Sequence, residues 1–404
     1  MPADFARVDQ APLLEGVRVL DFTRVLAGPY ATMVLADLGA EVIKVELPGH
    51  GDEARNFGPF IAGVSAYYAS VNRGKKSVTL DLRTPRGSGL AMDLVERSDV
   101  LVENFRPGSM ARFGLDYDRV SARNPRLVYA SISGFGQSGP YSHRPAYDVI
   151  VQAMSGLASI TGLPGQPPVR VGSSTADLSA ALFACVGLLA ALARARETGR
   201  GRHLDVSMLD CQVALLENAI ARYDVNGQVP GPLGSRHPAI TPFQFFAAAD
   251  GWVVVAAGND RLFDRLCQVL GRPELDEDAR FADNAARTEN HAELESELNA
   301  AFAGGSVDEW LERLEKAGVP CGPVNDMADL VGDPQVRSRG LIRRQPCDGE
   351  SVAVPVSPLR FAGEAPEIDP RPAPALGEHT ESVLQELLGV DGDELGSMRR
   401  DGVI

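Results

Sequence analysis

A single carboxylate, Asp177, follows a stretch of small residues and precedes an apolar run in the segment VGSSTADLSAALFA, residues 171–184. This pattern predicts that Asp177 lies at the start of a helix, where free backbone N–H groups and the helix dipole stabilise an anion. A carboxylate kept ionised in a partly dry cleft can act as a nucleophile. The same pattern fits an aspartate that only caps its helix. The residues by themselves do not choose between these two roles.

A glycine-rich segment, GFGQSG at residues 134–139, matches G-x-G-x-x-G directly after a predicted strand. A dinucleotide site needs a helix to begin at such a loop, with its N-terminus facing the pyrophosphate. Pro140 follows the loop at once and Pro145 lies five residues further on, so a helix is not expected there. The segment therefore favours a loop that lets the backbone approach some other ligand.

Basic residues cluster in and around the loops that follow the early predicted strands. They are Arg24, Lys44, Arg55, Arg73, Lys75, Lys76, Arg83, Arg106 and Arg112. On an acidic chain such a cluster suits a phosphate-bearing ligand. It also fits an ordinary solvated surface, and the residues leave both interpretations open.

Histidine and cysteine patterns argue against several other chemistries. The six histidines form no H-x-x-x-H or H-E-x-x-H motif, so no metal site is predicted. The five cysteines are widely spaced without C-x-x-C, which argues against disulfides and zinc. Cys321, between glycine and proline turns in GVPCGPVND, is interpreted as a turn residue. The absence of G-x-S-x-G weakens a serine hydrolase interpretation.

The elements that must position these residues alternate between strands and helices in the first half of the chain. We predict strands at residues 17–21, 41–46, 77–82, 100–103, 127–133 and 203–206. A turn at 27–29 precedes helices predicted at 30–38 and 85–97. The alternation predicts an α/β fold with a Rossmann-like parallel sheet, which places ligands at the carboxyl ends of its strands.

A long helix is predicted from near Asp177 to about Glu197, ended by Gly199. Its expected apolar stripe is Leu178, Leu182, Cys185, Leu188, Leu189 and Leu192. Next, Ser207 with Asp210 predicts the capped start of a helix that runs through Ile220.

A glycine- and proline-rich crossover near residue 224 predicts a second, smaller α/β domain. That domain should contain a strand at 251–257 and charged helices, and a last helix is expected at 380–388. We therefore expect a large domain over residues 12–223, a small domain over 224–335 and a C-terminal segment, 336–404, that returns to the large domain.

Composition limits the partners of the chain. The net charge of −15 argues against nucleic acid, because phosphate binding needs a basic face. The N-terminal segment lacks the apolar core of a secretory signal, and the apolar run at 178–193 is short for a membrane span. The sequence therefore favours a soluble, cytoplasmic protein that binds no membrane.

Several segments, taken in order, together resemble the class III coenzyme A (CoA) transferases, the family of formyl-CoA and carnitine-CoA transferases. The segments are LEGVRVLDFTRVLAGPYATMVLADLGAEVIKVE, GDEAR, NRGKKSVTLDL, VLVENFRPG, GFGQSGP and GVPCGPVND. The resemblance covers about residues 12–404. It implies that Asp177 attacks an acyl-CoA thioester, forming a mixed anhydride and then an aspartyl-CoA thioester. CoA is then a substrate, and no tightly bound cofactor is implied.

The resemblance also implies residues that contact CoA. They are Val25, Leu26, Ala27, the segment from Leu80 to Arg83, Asn104, Arg112 and Tyr147. Gly134 and Gly136 are candidates for allowing backbone N–H groups close to the developing oxyanions. Leu47 and Pro145 replace an arginine and a lysine of formyl-CoA transferases, which leaves Arg73, Lys75 or Lys76 as alternative phosphate contacts.

The same fold includes 2-methylacyl-CoA racemases, which pair the aspartate with a histidine in a G-H-D motif. Tyr147 stands at that histidine position, and a tyrosine with an ordinary pKa near 10 serves proton abstraction poorly. We therefore favour a transferase over a racemase or epimerase. A non-catalytic CoA-binding module, with Asp177 only capping its helix, is the third alternative.

Within the family, ITGLPG, GSRHPAITPFQ and VNRGKKS resemble the succinyl-CoA:glutarate and dicarboxylate branch most. This predicts transfer from succinyl-CoA to a dicarboxylic acid. Arg236 and His237 are candidates for holding the distal carboxylate, although a surface Arg-His pair in a crossover loop fits equally well. The resemblance further implies an interlocked homodimer.

Overall fold

The computed structural model describes residues 12–361 and 370–404, which form two compact units. The first unit contains residues 12–157, 170–220, 337–361 and 370–404. The second contains residues 158–169 and 221–336. Residues 1–11, for which the sequence predicts no secretory signal, lie outside the described residues.

The elements follow the predicted alternation in the first half of the chain. The strands are β1 (Arg18–Asp21), β2 (Glu41–Glu46), β3 (Phe60–Ile61), β4 (Val64–Ser65), β5 (Lys76–Thr79), β6 (Val100–Glu103), β7 (Val128–Ser133), β8 (His203–Ser207), β9 (Phe243–Ala247), β10 (Trp252–Ala256), β11 (Cys321–Pro323), β12 (Ile342–Cys347) and β13 (Glu350–Pro355). The α-helices are α1 (Ala27–Asp37), α2 (Ala66–Asn72), α3 (Pro85–Glu96), α4 (Ser109–Arg112), α5 (Tyr117–Arg123), α6 (Asp148–Met154), α7 (Leu157–Ile160), α8 (Thr175–Thr198), α9 (Met208–Ala214), α10 (Ala219–Asn226), α11 (Asp260–Leu270), α12 (Glu274–Glu277), α13 (Asn284–Glu289), α14 (His291–Phe302), α15 (Val307–Lys316), α16 (Met327–Gly332), α17 (Pro334–Ser338), α18 (Thr380–Leu388) and α19 (Gly392–Arg400).

A six-stranded parallel sheet forms the centre of the first unit, in the order β5-β2-β1-β6-β7-β8. Leu20 of β1 stands level with Ile43 of β2 on one side and Leu101 of β6 on the other. All three side chains are fully buried, as expected for strands covered on both faces. The strand order reverses between β1 and β6, and such a switch point opens a crevice at the carboxyl ends of the strands. The predicted α/β class is confirmed.

Helices cover both faces of this sheet, each over its own apolar core. On one face, α1 and α8 pack through small side chains such as Ala31, Ala180 and Ala184. On the other face, α3, α5, α18 and α19 contribute residues such as Leu94 and Leu384. Each fully buried leucine of this kind contributes about 1.5–3 kcal/mol of transfer free energy.

Helix α1 begins three residues earlier than the sequence pattern predicts. The expected turn at residues 27–29 is instead the first turn of the helix. Pro29 is tolerated there because the N–H groups of a first helical turn have no partners within the helix. Gly28 is required by packing, since a Cβ at that position would lie 2.3 Å from the Thr23 side chain.

Helix α8 has the predicted length and ends at Gly199 in the left-handed conformation, but its buried face differs from the predicted stripe. Cys185, Leu188 and Leu192 are buried, whereas Leu182 is 52% exposed. Alanines occupy the rest of the buried face because the helix approaches α1 closely. Its 24 residues are also long and apolar enough, by length and composition alone, to cross a membrane, contrary to the shorter run expected from the sequence.

The second unit contains an antiparallel sheet in the order β11-β10-β9, packed against helices. Its core includes Phe246, Val253, Phe263 and Phe302, all fully buried. Arg287 is buried beside this core and donates to the carbonyl oxygens of Thr241 and Phe281, at 2.9 and 3.0 Å.

Candidate active site

A cavity of about 590 Å³ opens at the carboxyl ends of β1, β2, β5 and β6, beside the switch point of the sheet. Leu80 and Arg83, predicted CoA contacts, line this cavity. Leu47, Arg24 and Phe105 line it as well, and the Arg24 guanidinium lies 4.3 Å from the centre of the Phe105 ring. The walls thus combine an aromatic ring with two arginines whose side chains are 44% and 68% exposed. Each arginine pairs with a carboxylate of the same wall, Arg24 with Glu53 at 3.0 Å and Arg83 with Asp81 at 2.8 Å.

The turn after β1 forms one wall of this cavity, and side chains from other segments hydrogen-bond to its backbone. The Asn104 side chain accepts from the backbone N–H of Arg24 and donates to its carbonyl oxygen, both at 2.8 Å. The backbone N–H of Val25 donates to the Asp52 carboxylate at 3.0 Å. Leu26 precedes α1, and Ala27 is its first, buried residue. The Asn104 side chain and the Val25 backbone N–H therefore help to fix the backbone of this wall.

Buried ion pairs, rather than free cations, account for much of the predicted basic cluster. Lys75 is fully buried and donates to Asp21, Asn72 and Thr32, at 3.0, 2.9 and 2.7 Å. Burial holds the pKa of Lys75 at about 8, against the opposing attraction of Asp21. The amine of Lys44, also fully buried, lies 2.9 Å from Asp52.

Three residues proposed as alternative phosphate contacts pair with carboxylates and do not line this cavity. Arg73 pairs with Asp37 at 2.6 Å, and both side chains are nearly buried. Lys75 has the internal partners described above, and Lys76 pairs with Glu41 at 2.6 Å. Residues distant in the chain supply these carboxylates, and a contact of the three cations with phosphate stays a prediction. Arg24 and Arg83 remain as the cluster members that line the cavity.

Asp177 is the third residue of α8, as predicted, and its carboxyl group has no hydrogen-bond or ion-pair partner among the residues that the structure describes. Ser174, the residue before the helix, supplies no capping bond from its side chain. Asp148 takes that function instead, because its carboxylate accepts from the backbone N–H of Ala176 at 2.8 Å. Asp177 is therefore not the residue that caps this helix.

Gln152 links the helix start to the preceding segment. Its amide donates to Asp148 at 2.7 Å and to the carbonyl oxygen of Ser173 at 3.2 Å, and it accepts from the N–H of Val171 at 2.9 Å. The Arg170 guanidinium lies 3.5 Å from the same Asp148 carboxylate. This arrangement fixes the backbone on which Asp177 stands.

The electrostatic surroundings of Asp177 disfavour its ionised form. Burial, and then the nearby charge of Asp148, raise the pKa of Asp177 to about 7. Burial and the charge of Asp177 likewise raise the pKa of Tyr67 to about 12, so this phenol stays protonated beside the carboxyl group. A strongly perturbed carboxyl group without a compensating partner is typical of a functional site.

The glycine-rich loop is not followed by a helix until α6 begins at Asp148, which confirms that it is no dinucleotide fingerprint. A Cβ at Gly134 would lie 2.2 Å from that of Ala146, so close packing requires this glycine. Gly136 has a φ of 83°, and the next N–H, of Gln137, donates to Asp205. Local packing explains the glycine at 134, and backbone conformation explains the glycine at 136. The role predicted for Gly134 and Gly136 toward the substrate stays a prediction.

The remaining predicted contacts lie at several places. Tyr147 precedes α6 and is 71% exposed. Arg112 ends α4 and donates to Ser109 at 3.0 Å. Arg236 and His237 belong to the second unit, where the backbone N–H of His237 donates to Phe243 at 3.0 Å. The roles predicted for these four residues stay predictions.

Three residues near Asp177 were missed at the level of sequence. Asp148 stands at the aspartate of the G-H-D motif, which gives no sign of its contact with the helix start, and Gln152 carries no motif. Their spacing of four residues is a signal for a pair on one helix face. Tyr67 lies 110 positions before Asp177, and no local pattern connects the two.

Comparison with known proteins gives a consistent result. The family model described as CoA-transferase family III matches residues 14–380. An acetyl-CoA:oxalate CoA-transferase of Acetobacter aceti is 42% identical, over 92% of this chain and 95% of its own length. A succinyl-CoA:glutarate CoA-transferase of Mus musculus is 41% identical, over 98% of this chain and 91% of its own length.

A solved structure shows the same fold. A CAIB/BAIF family protein from Brucella suis superposes with a TM-score of 0.83 at 39% sequence identity. The match covers 94% of this chain and 100% of the solved chain.

Proposed function

This chain belongs to CoA-transferase family III, and on that premise we propose that it moves CoA from succinyl-CoA to a dicarboxylic acid through covalent intermediates on Asp177. The family and its relatives are CoA-transferases, so the interpretation as a non-catalytic binding module is not retained. Donor, acceptor and covalent route form the proposal.

The observation that carries the covalent route is the unpartnered Asp177 carboxyl group described above. With a pKa of about 7, it is ionised in a large fraction of molecules at neutral pH. Among the described residues, this carboxylate has no hydrogen-bond donor that would lower its nucleophilicity. Because burial disfavours the negative charge, forming a neutral acyl bond is favourable for this anion, and this promotes its attack on a thioester.

The first half of the reaction loads CoA onto the enzyme. An oxygen of Asp177 bonds to the thioester carbonyl carbon, the carbon–sulfur bond breaks, and its electron pair leaves with the CoA thiolate. The thiolate then bonds to the carboxyl carbon of Asp177. The bond between this carboxyl carbon and the bridging oxygen of the anhydride breaks, and the donor leaves with that oxygen and the electron pair as a free carboxylate. Asp177 now carries CoA as a thioester.

The second half repeats these steps in reverse order with the acceptor. A carboxylate oxygen of the acceptor bonds to the carboxyl carbon of Asp177 and displaces the CoA thiolate. The thiolate attacks the acceptor carbonyl carbon, and Asp177 leaves with the electron pair of the anhydride bond. The products are the acceptor's CoA thioester and a free Asp177 carboxylate, so no net proton transfer is required.

The cavity at the carboxyl ends of the strands is the proposed site for the nucleotide portion of CoA. Its aromatic ring and its two exposed arginines offer a stacking surface and contacts for phosphate. Leu47 lies in the same wall, at the position where formyl-CoA transferases have an arginine.

The proposed acceptor class rests on the relatives. Their names specify oxalate, glutarate, D-citramalate and mesaconate as acids, and each of these carries two carboxyl groups. Arg236 and His237, which belong to the second unit, remain the candidates for the distal carboxylate.

The proposal includes a homodimer, interlocked as the family resemblance implies. Its support in the first unit is a set of exposed apolar side chains on α6, α8 and α9. Leu182 and Val186 of α8 are 52% and 66% exposed, and Val149 of α6 is 51% exposed. Exposed apolar side chains grouped on neighbouring helices are typical of a protein–protein interface.

A transfer assay with succinyl-CoA and a panel of acids tests the proposal. The panel contains oxalate, glutarate and mesaconate, with acetate as a monocarboxylate. We expect CoA transfer to at least one dicarboxylate with kcat/KM at least tenfold above that for acetate. Preference for acetate would contradict the acceptor class, and transfer from acetyl-CoA but not succinyl-CoA would contradict the donor.

Asp177→Asn and a matched variant separate catalysis from capping. Asp210 is the third residue of α9 as Asp177 is of α8, but its carboxyl group accepts from Ser207 at 2.9 Å. We expect Asp177→Asn to abolish transfer and Asp210→Asn to keep most of it. Equal loss in both variants would show that a helix-start carboxylate matters only for folding.

A further inference from the structure

We propose that Asp52 and Lys44 are positioning residues that hold Val25 in a strained backbone conformation and thereby form the CoA-binding wall after β1. This inference rests on the proposed function, since it takes the cavity at the strand ends as the CoA site. Both residues lie in segments that carry the family resemblance, Lys44 in EVIKVE and Asp52 in GDEAR, and neither is proposed to touch a reacting atom.

Val25 has a φ of 68°, in the left-handed region that β-branched residues rarely adopt. Such a conformation is unfavourable and persists only where the surroundings enforce it. The conformation matters for the cavity because Val25 directly follows Thr23 and Arg24, which line it. If φ of Val25 relaxed to a negative value, the chain between β1 and α1 would take a different path.

Asp52 is the group that enforces this conformation. It is 1% exposed, and its Oδ1 accepts from the backbone N–H groups of Val25 at 3.0 Å and Ala54 at 2.9 Å. The other oxygen, Oδ2, lies 2.9 Å from the ammonium of Lys44. Asp52 is itself fixed, because its backbone N–H donates to Glu46 at 3.0 Å.

Lys44 ties this carboxylate to the other end of the turn. Its side chain is fully buried, and its ammonium donates to the carbonyl oxygen of Thr23 at 2.7 Å as well as pairing with Asp52. One cation thus bridges Thr23 and the carboxylate that binds Val25. Burial alone would lower the pKa of Lys44, but the charges of Asp21 and Asp52 outweigh it and raise that pKa above its ordinary value. Lys44 therefore stays charged.

The two sides of Asp52 make different demands that only a carboxylate meets. Both of its oxygens accept: Oδ1 from the backbone N–H groups of Val25 and Ala54, and Oδ2 from the Lys44 ammonium and, at 3.3 Å, also from the N–H of Val25. An asparagine has a single acceptor oxygen, so its NH₂ group would face either Val25 and Ala54 or Lys44, all of which are donors. Asp52→Asn is therefore expected to release Val25 or to displace Lys44.

A double-mutant cycle with Val25→Gly tests the inference, because glycine adopts positive φ without steric cost. We expect Asp52→Asn to weaken CoA binding about tenfold. A factor of this size corresponds to the free energy that a non-glycine residue typically needs to stay in the left-handed region. In the Val25→Gly background the same substitution should weaken binding less than about threefold. Isothermal titration calorimetry of the full chain with CoA supplies these ratios.

Steady-state kinetics adds a second readout. If Asp52 acts by shaping the CoA wall, Asp52→Asn should raise KM for the acyl-CoA about tenfold and leave kcat within about threefold. A loss confined to kcat would contradict a positioning role at this wall.

Asp37→Asn is the matched control for the loss of a buried ion pair. Asp37 pairs with Arg73 at 2.6 Å with little exposure, and neither residue lines the cavity. We expect this variant to lose thermal stability with CoA affinity unchanged. A comparable loss of affinity in Asp37→Asn would attribute the effect of Asp52 to general destabilisation and overturn the proposal.

The outcomes separate this inference from the proposed function. An unmodified chain that fails to bind CoA contradicts the proposed function itself. A chain that binds CoA, but in which Asp52→Asn is equally harmful in both backgrounds, contradicts only the role assigned to Asp52. If Asp52→Asn alone does not fold, recovery of a folded, CoA-binding protein by adding Val25→Gly supports the inference. Failure of the double variant to fold overturns it.

Discussion

Replacing Asp177 by asparagine is expected to stabilise the folded protein at neutral and alkaline pH. The folded state raises the pKa of this carboxyl group from its ordinary value of 3.8 to about 7, through burial and the charge of Asp148. Folding therefore favours the protonated form. The unfolded chain releases this proton as pH rises above 4, whereas the folded chain retains it until about pH 7, so stability falls across that interval.

The size of the effect follows from the shift. Each pKa unit corresponds to about 1.4 kcal/mol, so full ionisation of Asp177 costs the folded state about 4 kcal/mol as an upper value. Asparagine has the shape of the protonated acid but never ionises. The difference in unfolding free energy between the variant and the unmodified chain should be small at pH 4 and reach its plateau above pH 7.

Scanning calorimetry of both proteins between pH 4.5 and 8.5 measures this difference. At pH 8.5 the transition of the first unit should be roughly 5–10 °C higher in Asp177→Asn, and at pH 4.5 the two should nearly coincide. Asp52→Asn should show the opposite sign. Burial raises the pKa of Asp52, but Lys44 and the backbone N–H groups outweigh burial and lower it. A pH-independent difference for Asp177→Asn would refute the interpretation of an uncompensated carboxyl group.

Three further predictions concern the pH profile, the cavity and the assembly. Below pH 7, kcat/KM for the acyl-CoA should rise about tenfold per pH unit, and above pH 7 it should level off. Asp148→Asn should move the midpoint of this profile to lower pH, because the charge of Asp148 is one source of the raised pKa of Asp177, and an unchanged midpoint would contradict that role. Leu47→Arg adds a cation to the cavity wall and should tighten CoA binding several-fold, with an affinity that depends more steeply on salt. Calorimetry at two ionic strengths measures both effects, and weaker binding would place the CoA phosphates elsewhere. Val186→Glu places a charge at a side chain that is 66% exposed, and should shift a dimer toward monomer in light scattering, whereas an unchanged mass would separate this surface from the interface.

The strands and long helices could be predicted from sequence because their signals are local. The runs VRVLD and EVIKVE become β1 and β2 with boundaries within a residue or two, and α18 begins and ends at the predicted residues. Ser207 accepts from the N–H of Asp210 as the capping pattern predicts, although the helix ends at Ala214 and a separate helix, α10, contains Ile220. Each of these features depends on neighbours within a few positions.

The buried charges could not be predicted because their partners are distant in the chain. Lys75 and Asp21 are 54 positions apart, and Arg73 and Asp37 are 36 apart. From sequence, these lysines and arginines resemble a surface cluster, since cations are rarely fully buried. Only the packing of β1, β2 and α1 together shows that they neutralise carboxylates inside the unit.

The position of the catalytic candidate was predictable, but its environment was not. Small residues before an apolar run locate Asp177 at the start of α8. Asp148, and not a residue next to the helix, caps α8, and this depends on how α6 packs. The Asp177 carboxyl group consequently has no partner among the described residues. The same packing explains why α8 buries alanines while Leu182 is exposed.

The central claim is that Asp177 carries CoA during the reaction. The most direct measurement is mass spectrometry of the peptide containing Asp177, after the protein is incubated with succinyl-CoA without acceptor and quenched with hydroxylamine or borohydride. We expect hydroxylamine to leave a hydroxamate, and borohydride a reduced side chain, at Asp177 only, with both changes absent when succinyl-CoA is omitted. An unmodified peptide in a preparation that exchanges CoA between acids would contradict the covalent route through this residue.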